Sequence, residues 1–197
     1  MIKRPTIIVP DASPLIRLAQ AGVLSLLHEV GGTVVLVDIV VDEVTRDDGK
    51  PGAAALRSWI ELGRRPGSNA PVKVEATETG RAIAAARLAD PGFAMRNGGE
   101  SAIIEWLTER VDGIDSATTV LCENGRMAHI LLRQDMDADI DVITTRAFLD
   151  LAERRGLIRS AAATWEAIGA QASTANPRIQ AASQRWSVPR CPDGMEM

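Results

Sequence analysis

The chain has 197 residues, a formal net charge of −4 and a sequence pI of about 5.3. Its 46% hydrophobic and 24% charged residues are ordinary for a globular protein, so a core can form without disulfides or a structural metal. The acidic balance argues against a protein that coats nucleic acid, because phosphate neutralisation by Lys and Arg supplies most non-specific affinity, but it does not exclude an enzyme.

The cysteine content and the apolar runs bear on the compartment in which the protein works. Cys122 and Cys191 are too few for a disulfide framework, which favours a reducing compartment. The apolar start at residues 6–10 is too short for a signal peptide, and the longest apolar runs fall short of the ~20 residues that span a membrane. We therefore expect a soluble, cytoplasmic protein without a membrane partner.

Strand and helix patterns alternate along the chain. Nearly continuous β-branched and apolar runs predict parallel strands buried on both faces, at 6–9, 33–37, 118–122 and 140–143. A weaker alternating run at 71–75 predicts a fifth strand at an edge. Helical periodicity fills the gaps, at 15–27 with a break near Gly22, and at 39–45, 53–62, 82–88, 101–110, 126–133 and 148–155. This alternation predicts an α/β fold, a three-layer α/β/α sandwich with a central parallel sheet.

Two acidic residues directly follow predicted strands. Asp11 comes after the first strand and Glu123 after the run at 118–122. Open α/β sheets bind ligands beyond the carboxyl ends of their strands, and two carboxylates close together raise a pKa or recruit a cation. Hard oxygen donors select Mg²⁺ or Mn²⁺. Asp11 can equally be a helix cap, since Asp is favoured at that position, and both interpretations stay open.

Two further acidic residues lie on helices and have equally ordinary explanations. Glu43 adjoins Asp42 on a helical turn, and adjacent helical residues point to different sides, so at most one is expected to face a crevice. Glu100 follows Asn97 and a pair of glycines. It either completes a capping box begun by Asn97 or is aimed into a site by a closely approaching glycine backbone. Local chemistry does not decide between these interpretations.

Other metal or phosphate chemistries fit the sequence less well. A dehalogenase-type phosphotransferase needs a second Asp two residues after the first, and here that position is Ser13. A response-regulator domain needs a late Lys, and no Lys follows Lys73. The acidic run at 135–141 lacks the Gly and Glu of a calcium loop, so it is interpreted as a solvated turn.

Five short motifs follow one another along the chain. They are Ile-Val-Pro-Asp-Ala-Ser-Pro-Leu-Ile-Arg-Leu (8–18), Val-Val-Asp-Glu-Val (40–44), Gly-Gly-Glu-Ser-Ala-Ile (98–103), Leu-Cys-Glu-Asn-Gly-Arg-Met-Ala (121–128), and the closing stretches at 141–149 and 155–158. Their order resembles the PIN-domain family, in particular its VapC-like toxin ribonucleases. No single motif is specific, but five in order are fairly specific. The resemblance implies a PIN-like nuclease domain at 1–160, followed by a C-terminal helix and a flexible tail at 161–197.

The resemblance also implies a set of site residues. The expected catalytic acids are Asp11, Glu43, Glu100 and Glu123, and the expected ligands of Mg²⁺ or Mn²⁺ are Asp11, Glu100 and Glu123. Substrate-binding or supporting contacts are expected from Ser13, Asn124, Thr145 and Arg126, with Arg17 and Lys50 as further grips on the RNA backbone. The chain departs from the family twice. Glu123-Asn124 replaces two Asp, so an amide oxygen would replace one charged ligand, and Thr144-Thr145 replaces Gly-Thr.

The function that the resemblance implies is metal-dependent hydrolysis of RNA phosphodiester bonds. Many members are toxins of toxin–antitoxin pairs, so we expect an endoribonuclease with RNA as substrate, a small antitoxin as partner and a homodimeric state. The segment at 72–96 is longer than expected for the smallest toxins and could be a lid or a partner surface. The alternative is a catalytically weak PIN-like scaffold that binds protein or RNA.

Overall fold

The computed structural model describes residues 7–110, 117–133 and 140–175, and these form a central sheet flanked by helices. All neighbouring strands are parallel, in the order β3-β2-β1-β4-β5. The strands are β1 (Ile7–Pro10), β2 (Thr33–Val37), β3 (Val72–Glu75), β4 (Thr118–Leu121) and β5 (Ile140–Ile143). The predicted α/β/α sandwich is confirmed, and the weak run at 71–75 does form an edge strand.

The helices follow the predicted periodicity closely. They are α1 (Ala12–Gln20), α2 (Leu26–Val30), α3 (Asp38–Thr45), α4 (Ala53–Gly63), α5 (Glu78–Ala89), α6 (Gly98–Arg110), α7 (Gly125–Arg133), α8 (Thr145–Arg154) and α9 (Ala161–Ala175). The predicted break near Gly22 separates α1 from α2, and Gly22 has a φ of 69°, which glycine adopts without steric cost. Gly156, with a φ of 72°, ends α8 in the same left-handed conformation.

The apolar composition of the three inner strands β1, β2 and β4 follows from their burial. Ile8, Val9, Val34, Leu36 and Val120 are fully buried. Strands covered by helices on both faces cannot alternate apolar and polar residues, so their sequences are continuously apolar. This buried platform fixes the positions of the residues that follow β1, β2 and β4.

Two acidic residues fix α5 to its neighbours. Asp38 accepts hydrogen bonds from the Thr77 amide at 3.1 Å and the Thr77 hydroxyl at 2.8 Å. Glu105 of α6 accepts from the amides of Glu78 and Thr79 and from the Thr79 hydroxyl. A carboxylate at a helix N-terminus satisfies amides that have no partner within the helix. Asp38 and Glu105 thereby hold α5 against α3 and α6.

The last described helix belongs to the same core. Ala161 and Ile168 of α9 are buried in it, and the Ala161 amide donates to the Glu153 carboxylate at 2.8 Å. The domain boundary at residue 160 stays a prediction, and the predicted tail beyond residue 175 and most of the acidic turn at 135–141 lie outside the described residues. Within the described ranges, none of the helices combines the length and hydropathy that a bilayer crossing requires.

Candidate functional site

Asp11 and Glu123 are brought to the same edge of the sheet. Strands β1 and β4 pair directly, and the Asp11 amide donates to the Leu121 carbonyl at 2.8 Å. Asp11 occupies the N-cap position of α1, but its side chain makes no capping hydrogen bond. Capping is therefore not what the Asp11 carboxylate does.

A cleft of about 540 Å³ opens beside Asp11. Its charged lining consists of the acidic residues Asp11, Asp42, Glu43, Asp47 and Glu100 and the basic residues Arg46, Lys50 and Arg87. Five carboxylates against three cationic groups leave a formal charge of −2. Ser13 also lines the cleft, whereas Glu123, Asn124, Arg126 and Thr145 lie outside its lining.

Gly99 lets the backbone of α6 approach the acidic residues. A Cβ at this position would lie 3.2 Å from Asp11 Oδ1, 3.3 Å from Val40 Cγ2 and 3.6 Å from Glu43 Oε2. A side chain here would therefore press on Asp11 and Val40, since contacts of 3.0–3.4 Å are tighter than most real Cβ contacts. The close-approach interpretation of the paired glycines agrees with this geometry.

Glu100 is directed towards Asn124. The Asn124 Nδ2 group donates to Glu100 Oε1 at 2.7 Å, while Asn124 Oδ1 accepts from the Arg126 amide at 2.9 Å at the start of α7. The Asn124 oxygen thus caps α7 and its amide nitrogen faces the carboxylate, and the expectation that this oxygen replaces a charged metal ligand stays a prediction. Asn97, the expected start of a capping box, has a φ of 60°, outside the extended backbone typical of an N-cap.

Both carboxylate oxygens of Glu123 have donors. Oε1 accepts from the Thr145 amide at 3.1 Å and from the Thr145 hydroxyl, and Oε2 lies 2.8 Å from Arg17 Nη1. Arg17 was expected to grip RNA, but its guanidinium is directed to Glu123 and lies 5.1 Å from the ring centroid of Trp165. Thr145, expected near substrate, is completely buried and supports Glu123 instead.

Asp42 and Glu43 both line the cleft, so the expectation that at most one would do so is wrong. The cleft extends over the end of α3 towards α5, from which Arg87 donates to Asp42 at 2.7 Å. Burial alone would raise the pKa of Asp42, but hydrogen bonds from Arg46 and Arg87 outweigh it and hold that pKa below its usual value. The negative charge of Asp42 is thus already compensated by two arginines, and Glu43 is the residue of the two that lies near Asp11.

Asp11 has the opposite electrostatic environment. Burial raises its pKa to about 6; the Ala12 amide opposes this, and the charges of Glu43, Glu100 and Glu123 raise it further. Burial likewise raises the pKa of the nearby Cys122 thiol to about 11. Cys122 is therefore protonated at neutral pH and is not a thiolate nucleophile. Among the described residues Asp11 has no ion-pair partner, and the Ala12 amide offsets the effect of burial only in part.

The donor set fits a hydrated hard cation. Within the described ranges, no three His, Cys, Asp or Glu side chains converge closely enough to hold a metal ion by themselves. Mg²⁺ does not need such a cage, because it keeps several waters and is often bound by one or two carboxylates together with substrate phosphates. Asp11 with Glu43 or Glu100 meets this lighter requirement.

Sequence reasoning missed several contacts around the site. Arg46 could have been found, because it follows Asp42 at the i+4 spacing of a helical ion pair. Arg87 lies 45 residues from Asp42, and Trp165 is far from Arg17 in sequence, so neither contact has a local signal.

Comparison with known proteins gives one match. Residues 7–69 match the sequence model of a family described as a PIN domain, over about a third of the chain, from β1 to just beyond α4. Neither the curated proteins nor the solved structures include a significant match. The matched segment carries Asp11 and Glu43 and contains two of the three inner strands of the sheet, β1 and β2. The match supports the family predicted from the sequence, and residues 7–69 are similar to a PIN domain.

Proposed function

We propose that the protein is a metal-dependent endoribonuclease that hydrolyses RNA phosphodiester bonds in the cleft beside Asp11. A PIN domain is a nuclease fold, which makes hydrolysis of a nucleic acid the natural starting point. The observation that carries the proposal is the uncompensated charge of Asp11. Its pKa is raised to about 6, with Glu43 across Gly99 and Glu100 on the same cleft.

Phosphodiester hydrolysis needs an activated water, neutralisation of charge at phosphorus and a stabilised leaving oxygen. A divalent cation, when bound, supplies these by lowering the pKa of water and polarising the phosphate. Asp11 would hold the cation together with Glu100 or Glu43. The side chain of Glu43 at the rim would orient water, and the Ser13 hydroxyl would donate to a phosphate oxygen.

The charges of the cleft give the cation a second role. A lining with a formal charge of −2 repels the RNA backbone, whereas one divalent ion brings the lining close to neutrality. Lys50 then remains as a phosphate contact on the same wall. RNA binding should therefore depend on the metal, and not only cleavage.

Calorimetric titration with Mn²⁺ and an RNA cleavage assay test the proposal together. Wild-type protein should bind Mn²⁺ and cleave a mixture of structured RNAs with Mg²⁺, and a chelator should stop cleavage. Asp11→Asn should lose both activities. Asp150→Asn serves as the control, because Asp150 pairs with Arg146 on α8 and lies outside the cleft. Equal Mn²⁺ binding by wild type and Asp11→Asn would rule out this site.

The toxin role is the finer part of the proposal. It includes a small antitoxin as partner, a homodimeric state and a cytoplasmic location. If the protein is a toxin, induced expression in a bacterial host should arrest growth, and the same expression of Asp11→Asn should not. If cells continue to grow while the wild-type protein cleaves RNA, the toxin role is contradicted and the nuclease proposal is unaffected.

A non-catalytic scaffold is the second candidate, and one observation favours it. Glu123 is neutralised by Arg17, and Glu100 accepts a hydrogen bond from Asn124, so two of the four expected acids already have partners. A scaffold would bind RNA or protein without a metal. Absence of Mn²⁺ binding in both wild type and Asp11→Asn would support it.

A further inference from the structure

Of the predicted metal ligands, Glu123 is the one whose carboxylate oxygens have the most hydrogen-bond and ion-pair partners among the described residues. Its two oxygens face different donors, the Thr145 amide and hydroxyl on one side and Arg17 on the other. The side chains of Arg17 and Glu123 are 35% and 24% exposed, so water screens this pair less than a fully exposed one. Any new ligand of Oε2 must replace the guanidinium.

Arg17 is held in turn by the C-terminal helix. Its guanidinium carbon lies 5.1 Å from the centroid of the Trp165 ring, within the range of a cation–π interaction. Trp165 is partly buried on α9, which is anchored in the core by Ala161 and Ile168. A continuous set of contacts therefore runs from α9 through Arg17 to the acid that follows β4.

We propose that Arg17 is a built-in counter-ion of Glu123 that competes with the divalent cation, and that Trp165 positions Arg17 for this competition. The inference rests on the proposed function, because it assumes that the cation binds at the Asp11 cluster. With Arg17 in place, the charge of Glu123 is compensated and its Oε2 is occupied. Without Arg17, Glu123 adds an unpaired carboxylate oxygen at the sheet edge where Asp11 also lies, because β1 and β4 pair directly.

The proposal makes an unusual prediction about the sign of the effect. Loss of a residue that merely supports the site should weaken metal binding. Loss of a competing cation should strengthen it. Arg17→Gln should therefore bind Mn²⁺ about three- to fivefold more tightly than wild type, the scale of one partly screened ion pair.

The Trp165 variants separate positioning from charge. Trp165→Leu keeps Arg17 but removes the ring face that holds it, so Mn²⁺ should bind about two- to threefold more tightly. Trp165→Phe keeps a ring face and should stay closer to wild type. If Arg17→Gln fails to fold, Trp165→Leu still tests the proposal, since it leaves every charge in place.

Calorimetric Mn²⁺ dissociation constants, measured at low salt for the full chain, provide the test. Arg146→Gln is the matched control, because it removes an arginine next to Thr145 whose ion pair is with Asp150. That control should leave the dissociation constant unchanged. In a Glu123→Gln background, Arg17→Gln should also have no effect, because the competition acts through Glu123.

The possible failures are distinguishable. Wild-type Mn²⁺ binding with unchanged or weaker binding by Arg17→Gln and Trp165→Leu overturns the counter-ion proposal and leaves the nuclease proposal standing. Tighter binding that persists in the Glu123→Gln background also overturns it, since the effect would then be general electrostatics. Absence of Mn²⁺ binding in wild type overturns the proposed function, and the competition falls with it.

Discussion

Asp11 and Asp38 occupy corresponding places on neighbouring strands. Asp11 directly follows β1 at the start of α1, and Asp38 directly follows β2 as the first residue of α3. Asp38 accepts hydrogen bonds from the Ile39 amide at 2.9 Å and from the amide and hydroxyl of Thr77. The side chain of Asp11 makes no capping hydrogen bond, and Glu43, Glu100 and Glu123 act on it with like charge.

The difference between the two aspartates teaches how to recognise a functional carboxylate. A position beyond the carboxyl end of a strand makes an acidic residue available to a site, but it does not make the residue functional. The local supply of donors decides. The Asp38 carboxylate fixes the start of α5, whereas Asp11 has no comparable set of donors, and we propose that its carboxylate binds a cation.

The two aspartates should differ most in their effect on the rate of RNA cleavage. Asp11→Asn should lower RNA cleavage by about a thousandfold, because removal of a charged ligand costs more than the 10- to 100-fold typical of supporting residues. Single-turnover cleavage with saturating Mg²⁺ measures it. Asp38→Asn should retain cleavage in proportion to its folded fraction. Comparable losses in the two folded variants would contradict the division of roles.

The second prediction concerns Asp38 and the free energy of unfolding. Asp38→Ala should lower the free energy of unfolding by about 3 kcal/mol, because three accepted hydrogen bonds to a charged group are lost and the Thr77 donors lose their partner. Urea unfolding of the metal-free protein measures this change. Asp47→Ala is the control and should change stability much less, because this exposed loop carboxylate accepts a hydrogen bond from the Gly49 amide just two residues away.

The sequence was sufficient for the fold and for the edge at which the site lies. Continuous apolar runs such as Val34 to Leu36 can be satisfied only by strands covered on both faces, so the parallel sheet followed directly. Strands β1 and β4 pair directly, which is the condition under which Asp11 and Glu123 were expected to share one edge of the sheet. These inferences rest on periodicity and on chain connectivity, which a sequence displays.

The partners of each acidic residue could not be predicted in the same way. Asn124 directs its amide nitrogen to Glu100 because its oxygen caps α7. Arg17 on α1 pairs with Glu123, which follows β4 and is far away in sequence. Such choices depend on side-chain directions and on competing donors after the chain has packed. The same tertiary competition separates Asp11 from Asp38, although both directly follow strands in sequence.

The third effect is a pH dependence of stability. The pKa of Asp11 is about 6 in the folded protein against an ordinary value of 3.8, so between these values the folded state binds more protons than the unfolded state. The free energy of unfolding contributed by Asp11 therefore falls as pH rises from about 4 to 6, and the penalty is complete above that range. Without metal, Asp11→Asn should be more stable than wild type by about 2–3 kcal/mol at pH 8 and equal to it at pH 3.

Thermal or urea unfolding at both pH values, with chelator present, measures this advantage. Asp150→Asn is the control, because its carboxylate is exposed beside Arg146 and should show no gain at pH 8. Saturating Mn²⁺ should reverse the order at pH 8, since the cation binds the folded wild type and not the variant. A wild type that is more stable than Asp11→Asn at pH 8 without metal would mean that Asp11 has a compensating partner, as Asp38 does.

The smallest effect tests whether the glycine backbone is part of the site. Gly99→Ala would place a Cβ 3.2 Å from Asp11 Oδ1 and 3.3 Å from Val40 Cγ2, so Asp11 must shift by a few tenths of an ångström. We expect Mn²⁺ to bind about five- to tenfold more weakly, the lower end of what displacement of a ligand's surroundings costs. Gly125→Ala, at the first residue of α7 with nothing within 4 Å of its added Cβ, is the matched control. If both variants bind Mn²⁺ like wild type, the Asp11 carboxylate can shift without loss of metal binding. The close approach of α6 then serves only packing against Val40.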